Sequence, residues 1–303
     1  GSIKRLTDVA EVYGGTGRTS ADEALLANSA ALQRRAVEPH VVMELVEGDQ
    51  VRDWQIAQGN AILTPYFGGG LIAISDLPMA NRWLWPSRTV LGSRVTFSKK
   101  TYFEEGRSWW SWHQINVSRL KYDYVITFPF VATHNHFALD RGGKVFKQTA
   151  PVIKLRAGSS ESDQFGVLGV LNSSVACFWL KQVCFNKGIG EQPWADRFEH
   201  DSGKVSGLPL PPSQPIEIAR EIDLLACKTK ERIPSTLLPI LPTNDRPLAT
   251  RQLLNELRDS TASLRRRAVA WQEELDWECY KLYGLLPEGT RELKVSSPPP
   301  EVK

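Results

Sequence analysis

Nine consecutive residues, Gly106-Arg107-Ser108-Trp109-Trp110-Ser111-Trp112-His113-Gln114, combine three indoles with a guanidinium, an imidazole and a carboxamide. Arg and Gln carry the paired hydrogen-bonding groups that match guanine and adenine edges in the major groove of DNA. Tryptophans at that density either anchor a loop in a core or offer faces on which bases stack. We read the segment as a mixture: Trp anchors hold the loop rigid, and its polar members face a ligand. The plainer reading puts all three indoles in the core and leaves only Arg107 and Gln114 outside.

A second group is His134-Asn135-His136. In a strand, residues i and i+2 share a face, so the two imidazoles point the same way. With His113 or a carboxylate they could bind a metal. The three letters do not make an HNH nuclease, in which they are spread over a few dozen residues, and no second ligand pair supports the spacing. Gly14-Gly15-Thr16-Gly17-Arg18 lacks the Gly-Lys-Ser/Thr ending of a phosphate-binding loop, and is read as a flexible lead-in or an inter-domain crossover. The chain has no Gly-x-Ser-x-Gly, no His-Glu-x-x-His and no Asn-Pro-Pro-aromatic or Asp-Pro-Pro-aromatic string. No residue reads as catalytic, and no metal or cofactor is assigned to this chain.

The charge is uneven. A net +3 hides a central stretch, 82–156, with 13 Lys and Arg against four Asp and Glu. Five of the ten tryptophans lie in the same stretch. Interleaved basic and aromatic residues are what nucleic-acid grooves use to neutralise phosphate and to stack bases. A solvated basic face over an aromatic core would have the same composition. The four cysteines form no C-x-x-C and read as buried small residues of a reducing compartment. No apolar run is long enough to cross a membrane. The opening Gly1-Ser2 is read as the start of a fragment cut from a longer protein.

The elements that must position these residues follow from periodicity and turn signals. Residues 20–37 read as a helix with Ser20 and Glu23 as a capping box. Short β-type runs follow: Val41–Val46, Leu71–Ile74, Val90–Phe97, Tyr124–Phe128, His136–Leu139, Lys144–Phe146 and Val152–Leu155. Asp140-Arg141-Gly142-Gly143 is read as a hairpin turn between two of them. Helices are expected over 164–184, 214–231 and 250–283. The last carries an apolar stripe from Leu257 to Leu282. The expected fold is α+β: a lead-in helix or crossover over 1–39, a strand-rich domain over 40–212, a helical C-terminal domain over 213–285 and a disordered tail over 286–303.

Several strings together resemble one family. Val46 to Trp54 followed by Pro65-Tyr66 resembles the start of the target-recognition region of large adenine-specific DNA methyltransferases. Gly169-Val170-Leu171-Asn172-Ser173-Ser174 and Leu208-Pro209-Leu210-Pro211-Pro212 resemble the G-x-L-N-S helix and the I-P-x-P-P exit of recognition domains in type I specificity subunits and fused type II enzymes. Glu274 to Leu285 resembles their closing helix. Thr101–Trp110 and Ala132–Phe146 resemble the C-terminal half of PglX-type methyltransferases of BREX phage defence.

The resemblance, over roughly 40–285, implies a cytoplasmic DNA target-recognition module. It also implies a parent enzyme whose N-terminal domain binds S-adenosylmethionine and flips an adenine. That domain, with its Asn-Pro-Pro-Tyr motif, is absent from this chain. The implied partners are double-stranded DNA, the missing methyltransferase domain and other defence-system proteins. Residue type and local charge select ten candidate DNA contacts. Arg107 and Gln114 stand as base readers, with Trp110 and His113 beside them. His134, Asn135 and His136 form a second group. Arg141, Lys144 and Lys147 stand as phosphate clamps on a hairpin. Two rival readings remain: a metal-dependent nuclease or hydrolase using His113, His134 and His136, and a protein-docking domain whose final helix engages a partner.

Overall fold

The computed structural model describes residues 4–188, 191–192, 195–233 and 250–287. The proline-rich stretch between the last two expected helices, with Pro234, Pro239, Pro242 and Pro247, and nearly all of the expected tail lie outside them. The fold is α+β, with open sheets and helices. Its largest antiparallel sheet has the order Ala10–Tyr13, Val152–Leu155, Val125–Thr127, Ala138–Asp140. Alternate residues of these strands enter different cores, as the pleat requires. Ile126, Leu139 and Ile153 join the helices' core, while Val125, Ala138 and Val152 join a smaller one.

A second four-stranded sheet has the order Lys144–Phe146, Val42–Val46, Ala61–Leu63, Leu26–Ala27. Its first pair is parallel and the others antiparallel. Trp109 and Trp112, with Leu77, Leu84 and Leu91, pack against it in a separate core. Val46 and Phe146 reach the small core between the sheets and tie the two together.

The Asp140–Gly143 turn is not a hairpin. Ala138–Asp140 ends in one sheet and Lys144–Phe146 begins in the other. Asp140 and Tyr122 make this crossover: Tyr122 Oη donates to Asp140 Oδ2 and accepts from the Lys144 amide. Nor is 20–37 one helix. Ser20 takes a positive φ of 57°. Helix Asp22–Leu25 is followed by the short strand Leu26–Ala27, and Asn28 then caps helix Ser29–Arg34. Pairing of Leu26 with Ile62 overrides the helical pattern. Gly15 is held rather than flexible: a Cβ there would stand 2.7 Å from the Phe146 carbonyl oxygen, at a φ of 82°. Over Val90–Phe97 the expected strand is replaced by helix Arg88–Gly92 and a single bridge between Val95 and Thr101.

The helix expected over 164–184 is two helices, Glu161–Leu171 and Ser174–Val183. The break is the Leu171-Asn172-Ser173 string. The Asn172 side chain exchanges hydrogen bonds with both backbone groups of Phe137, and Ser173 Oγ accepts from the Ala176 amide. The helices Ile216–Glu231 and Thr250–Leu282 match expectation. The long helix docks on the same string: Asp276 accepts from the Ser174 amide at 2.6 Å, and Gln272 donates to the Asn172 carbonyl at 3.1 Å. Leu208–Leu210 pairs back with Lys4–Leu6, and Tyr283 Oη donates to Pro209 O.

Candidate nucleic-acid interface

The nine-residue loop is bolted down by its tryptophans and by one arginine. Trp112 Nε1 donates to Leu63 O at 2.8 Å, and Trp110 Nε1 to Ile72 O at 3.0 Å. Trp109 is buried. Arg94, 7% exposed, donates to the carbonyls of Leu91, Thr19, Trp109 and Ser111 at 2.6–2.8 Å. A guanidinium has five donors in a fixed fork, so it can hold several chain segments at once. Arg94 went unnoticed in the sequence, because nothing local distinguishes it from a surface arginine.

On this frame Arg107, His113 and Gln114 come together along one open groove of about 590 Å³, with Tyr66 and Ser108 in its wall. Fully buried Tyr102 lies beneath: the Arg107 guanidinium sits 4.4 Å from its ring centroid, and its hydroxyl is 3.1 Å from His113 Nδ1. Gln114 pairs with Arg18 in a two-stranded ribbon. Burial first, then Arg107, Arg94 and Arg18, pushes the His113 pKa below its usual value. The groove is therefore electropositive, with a neutral imidazole able to donate or accept. Among the described residues, no carboxylate forms an ion pair with Arg107. Trp110 is half-buried, and its N–H is engaged inside the fold.

The 82–100 segment that leads to the loop keeps the basic and aromatic mixture of the sequence. Arg82, Arg88, Lys99 and Lys100 are exposed, as are Trp85 at 58% and Phe97 at 81%. The Phe97 ring lies 5.6 Å from that of His113. Phe97 was missed because its run reads as a buried strand.

The second group lies elsewhere. His134 and His136 lie together, with ring centroids 4.1 Å apart, but on a loop rather than the expected strand, which begins only at Ala138. His113 is not with them. The carboxylate that joins them is Asp53, whose Oδ1 is 3.4 Å from His136 Nδ1. The neighbouring His136 lowers the Asp53 pKa. The His113/His134/His136 triad is therefore not assembled. Asn135 turns inward and donates to the carbonyls of Leu171 and Ser173, closing the end of a helix. His136 is buried and His134 exposed.

The three clamp candidates are all ion-paired. Arg141 meets Asp223, Lys144 meets buried Asp140, and Lys147 sits between Asp22 and Glu47 at 2.9 and 2.7 Å. Hydrogen bonding to Glu47 raises the Lys147 pKa. Among the described residues no helix is long and apolar enough to cross a membrane, and all four cysteines are free.

The chain matches no family model. Adenine-specific methyltransferase PglX of Streptomyces coelicolor is 41% identical to it over 294 residues, 93% of this chain and 24% of that protein. The structure of the type IIL restriction-modification enzyme MmeI, solved in complex with DNA, matches 95% of the chain and 34% of its own, with a TM-score of 0.52 at 11% identity. That second likeness is one of fold. The chain is thus similar in sequence to about a quarter of a PglX-type adenine-specific methyltransferase, the family its motifs resemble, and similar in fold to part of a type IIL restriction-modification enzyme.

Proposed function

We propose that this chain is the sequence-specific double-stranded DNA recognition module of an adenine-N6 DNA methyltransferase in a cytoplasmic phage-defence or restriction-modification system. The observation that carries this reading is the groove in which Arg107, His113 and Gln114 converge, with no acidic residue in its described lining. Arg107 and Gln114 read base edges there, and the exposed cations Arg82, Arg88, Lys99 and Lys100 hold phosphates. Ion-paired Arg141, Lys144 and Lys147 are weaker clamps, since DNA must displace their carboxylates. S-adenosylmethionine and the flipped adenine belong to the remainder of the parent enzyme. A docking role for the long helix is compatible, because Leu254, Val269 and Trp277 stay 37–55% exposed along it. It would then seat the methyltransferase domain.

Fluorescence anisotropy with a pool of random duplexes across a salt series tests this. Binding should weaken steeply with salt, with a log–log slope of about −0.9 per phosphate neutralised. Sequencing the bound fraction should show an enriched motif. Arg107→Ala should cost about 1–3 kcal/mol on that motif and little on other sequences. Equal loss on every sequence would remove Arg107 as a base reader. Absence of binding by both this chain and the full-length enzyme at low salt would overturn the proposal.

A further inference from the structure

Asp53, His134 and His136 bring ligand-type atoms from two separate segments to within 4.8 Å of one another. Asp53 belongs to the two-residue turn between strands Val51–Arg52 and Gln55–Ile56. Both turn residues have positive φ, 47° at Asp53 and 68° at Trp54. That is the geometry of a type I′ hairpin turn. Trp54 is buried, and its Nε1 donates to Gln272 at 3.0 Å. The turn is thereby fixed with Asp53 aimed at His136. The two histidines come from the loop after strand Val131–Ala132.

We propose that Asp53, His134 and His136 bind a zinc ion through one carboxylate oxygen and two imidazole nitrogens. The spacing carries the assignment. His136 Nδ1 and Asp53 Oδ1 stand 3.4 Å apart. That is longer than an ordinary N–H···O bond of about 2.7–3.2 Å. It equals the ligand–ligand edge of a zinc tetrahedron, about 3.4 Å for metal–ligand bonds near 2.0–2.2 Å. The Asp53 amide donates to the same Nδ1 at 3.3 Å, so that lone pair faces the turn and the ion takes the place of this bond. His134 completes the set, its ligand atom within 4.8 Å of the other two, and Thr133 Oγ1, 2.9 Å from its Nδ1, leaves Nε2 for the metal.

Arg52, Lys181 and Arg265 act on the cluster electrostatically, and they disfavour cations held by charge alone, such as calcium or magnesium. Zinc gains from directed bonds to nitrogen and tolerates such neighbours better. Exposed Asp53 and His134 leave a path for the ion and an open fourth position for water. The bound ion would tie the 51–56 hairpin to the 132–136 loop.

Isothermal titration of the metal-free chain with zinc chloride at neutral pH tests this, with cobalt(II) absorption as a second readout. One ion per chain should bind, with tetrahedral cobalt bands. Asp53→Asn and His134→Ala replace exposed side chains and should keep the fold, checked by circular dichroism. Each should weaken zinc at least about tenfold, since even outer-shell partners cost 10–100-fold. Zinc should also raise the Tm of the parent chain and not of the variants. His113→Ala, away from the cluster, should bind zinc normally. No binding by the parent chain, or undiminished binding in either Asp53→Asn or His134→Ala, would overturn the site.

Discussion

Single side chains carry unusually long-range duties in this molecule. Arg94 joins four backbone carbonyls drawn from residues 19, 91, 109 and 111. Asn172 joins a helix end to a strand entry, and Gln272 joins Trp54 to Asn172. His200 is another such residue, 1% exposed, with its Nδ1 3.3 Å from Pro129 O. Burial lowers its pKa from 6.5 to about 4. The folded chain therefore holds the imidazole neutral, while the unfolded chain takes up a proton as pH falls through 6.5. Stability is full above about pH 6.5 and declines towards pH 4, by about 3 kcal/mol in total. In His200→Gln, urea midpoints between pH 6.5 and 4 should fall less steeply than in the parent chain. An unchanged slope would place the acid sensitivity in other groups.

Among elements, helices Glu161–Leu171 and Ile216–Glu231 approach closely at Gly169. At Gly169 a Cβ would stand 2.9 Å from Pro215 Cγ and 3.0 Å from Ala219 Cβ. Alanine would gain about 1 kcal/mol of helix propensity over glycine. Overpacking against two rigid neighbours costs about 1–3 kcal/mol. Packing should win, so Gly169→Ala is expected to lower stability by about 1 kcal/mol, read as a drop in Tm. A rise in Tm would mean that the Ile216–Glu231 helix moves away freely. The same comparison explains why the string at 169–174 has its composition. Gly169 permits close approach, Asn172 ends one helix and Ser173 caps the next.

At the scale of the whole molecule, the C-terminal helix is part of the main core rather than an appendage. Leu275 and Cys279 are fully buried in it, and Ala270 is 3% exposed. Burying one such leucine contributes about 1.5–3 kcal/mol, against a total stability of about 5–15 kcal/mol for a domain. Losing several of these contacts together with the Asp276 and Gln272 bonds exceeds that margin. A chain ending at residue 249 should lose its cooperative urea transition by near-ultraviolet circular dichroism. A retained transition with an unchanged midpoint would make the helix accessory.

Local rules in the sequence determined the strands Val152–Leu155 and Lys144–Phe146, the helices Ile216–Glu231 and Thr250–Leu282, and the α+β class. Periodicity and turn chemistry act over a few residues, so they survive without knowledge of the rest of the chain. The tryptophan anchors of the 106–114 loop were legible too, because three indoles cannot all stay in water cheaply. Tertiary structure alone decided the rest. It sent Ala138–Asp140 and Lys144–Phe146 to different sheets, and divided the 20–37 and 164–184 segments. It placed Asp53 beside the histidines in place of His113, and set carboxylates against Arg141, Lys144 and Lys147. Apart from the Lys144–Asp140 pair, four residues apart across the turn, each of these depends on a partner between about 30 and 125 residues away, and such a partner leaves no mark on the local pattern. Ion pairing is the clearest case: a positive charge is written in the sequence, but whether it faces solvent, DNA or a buried aspartate is settled only when the chain folds.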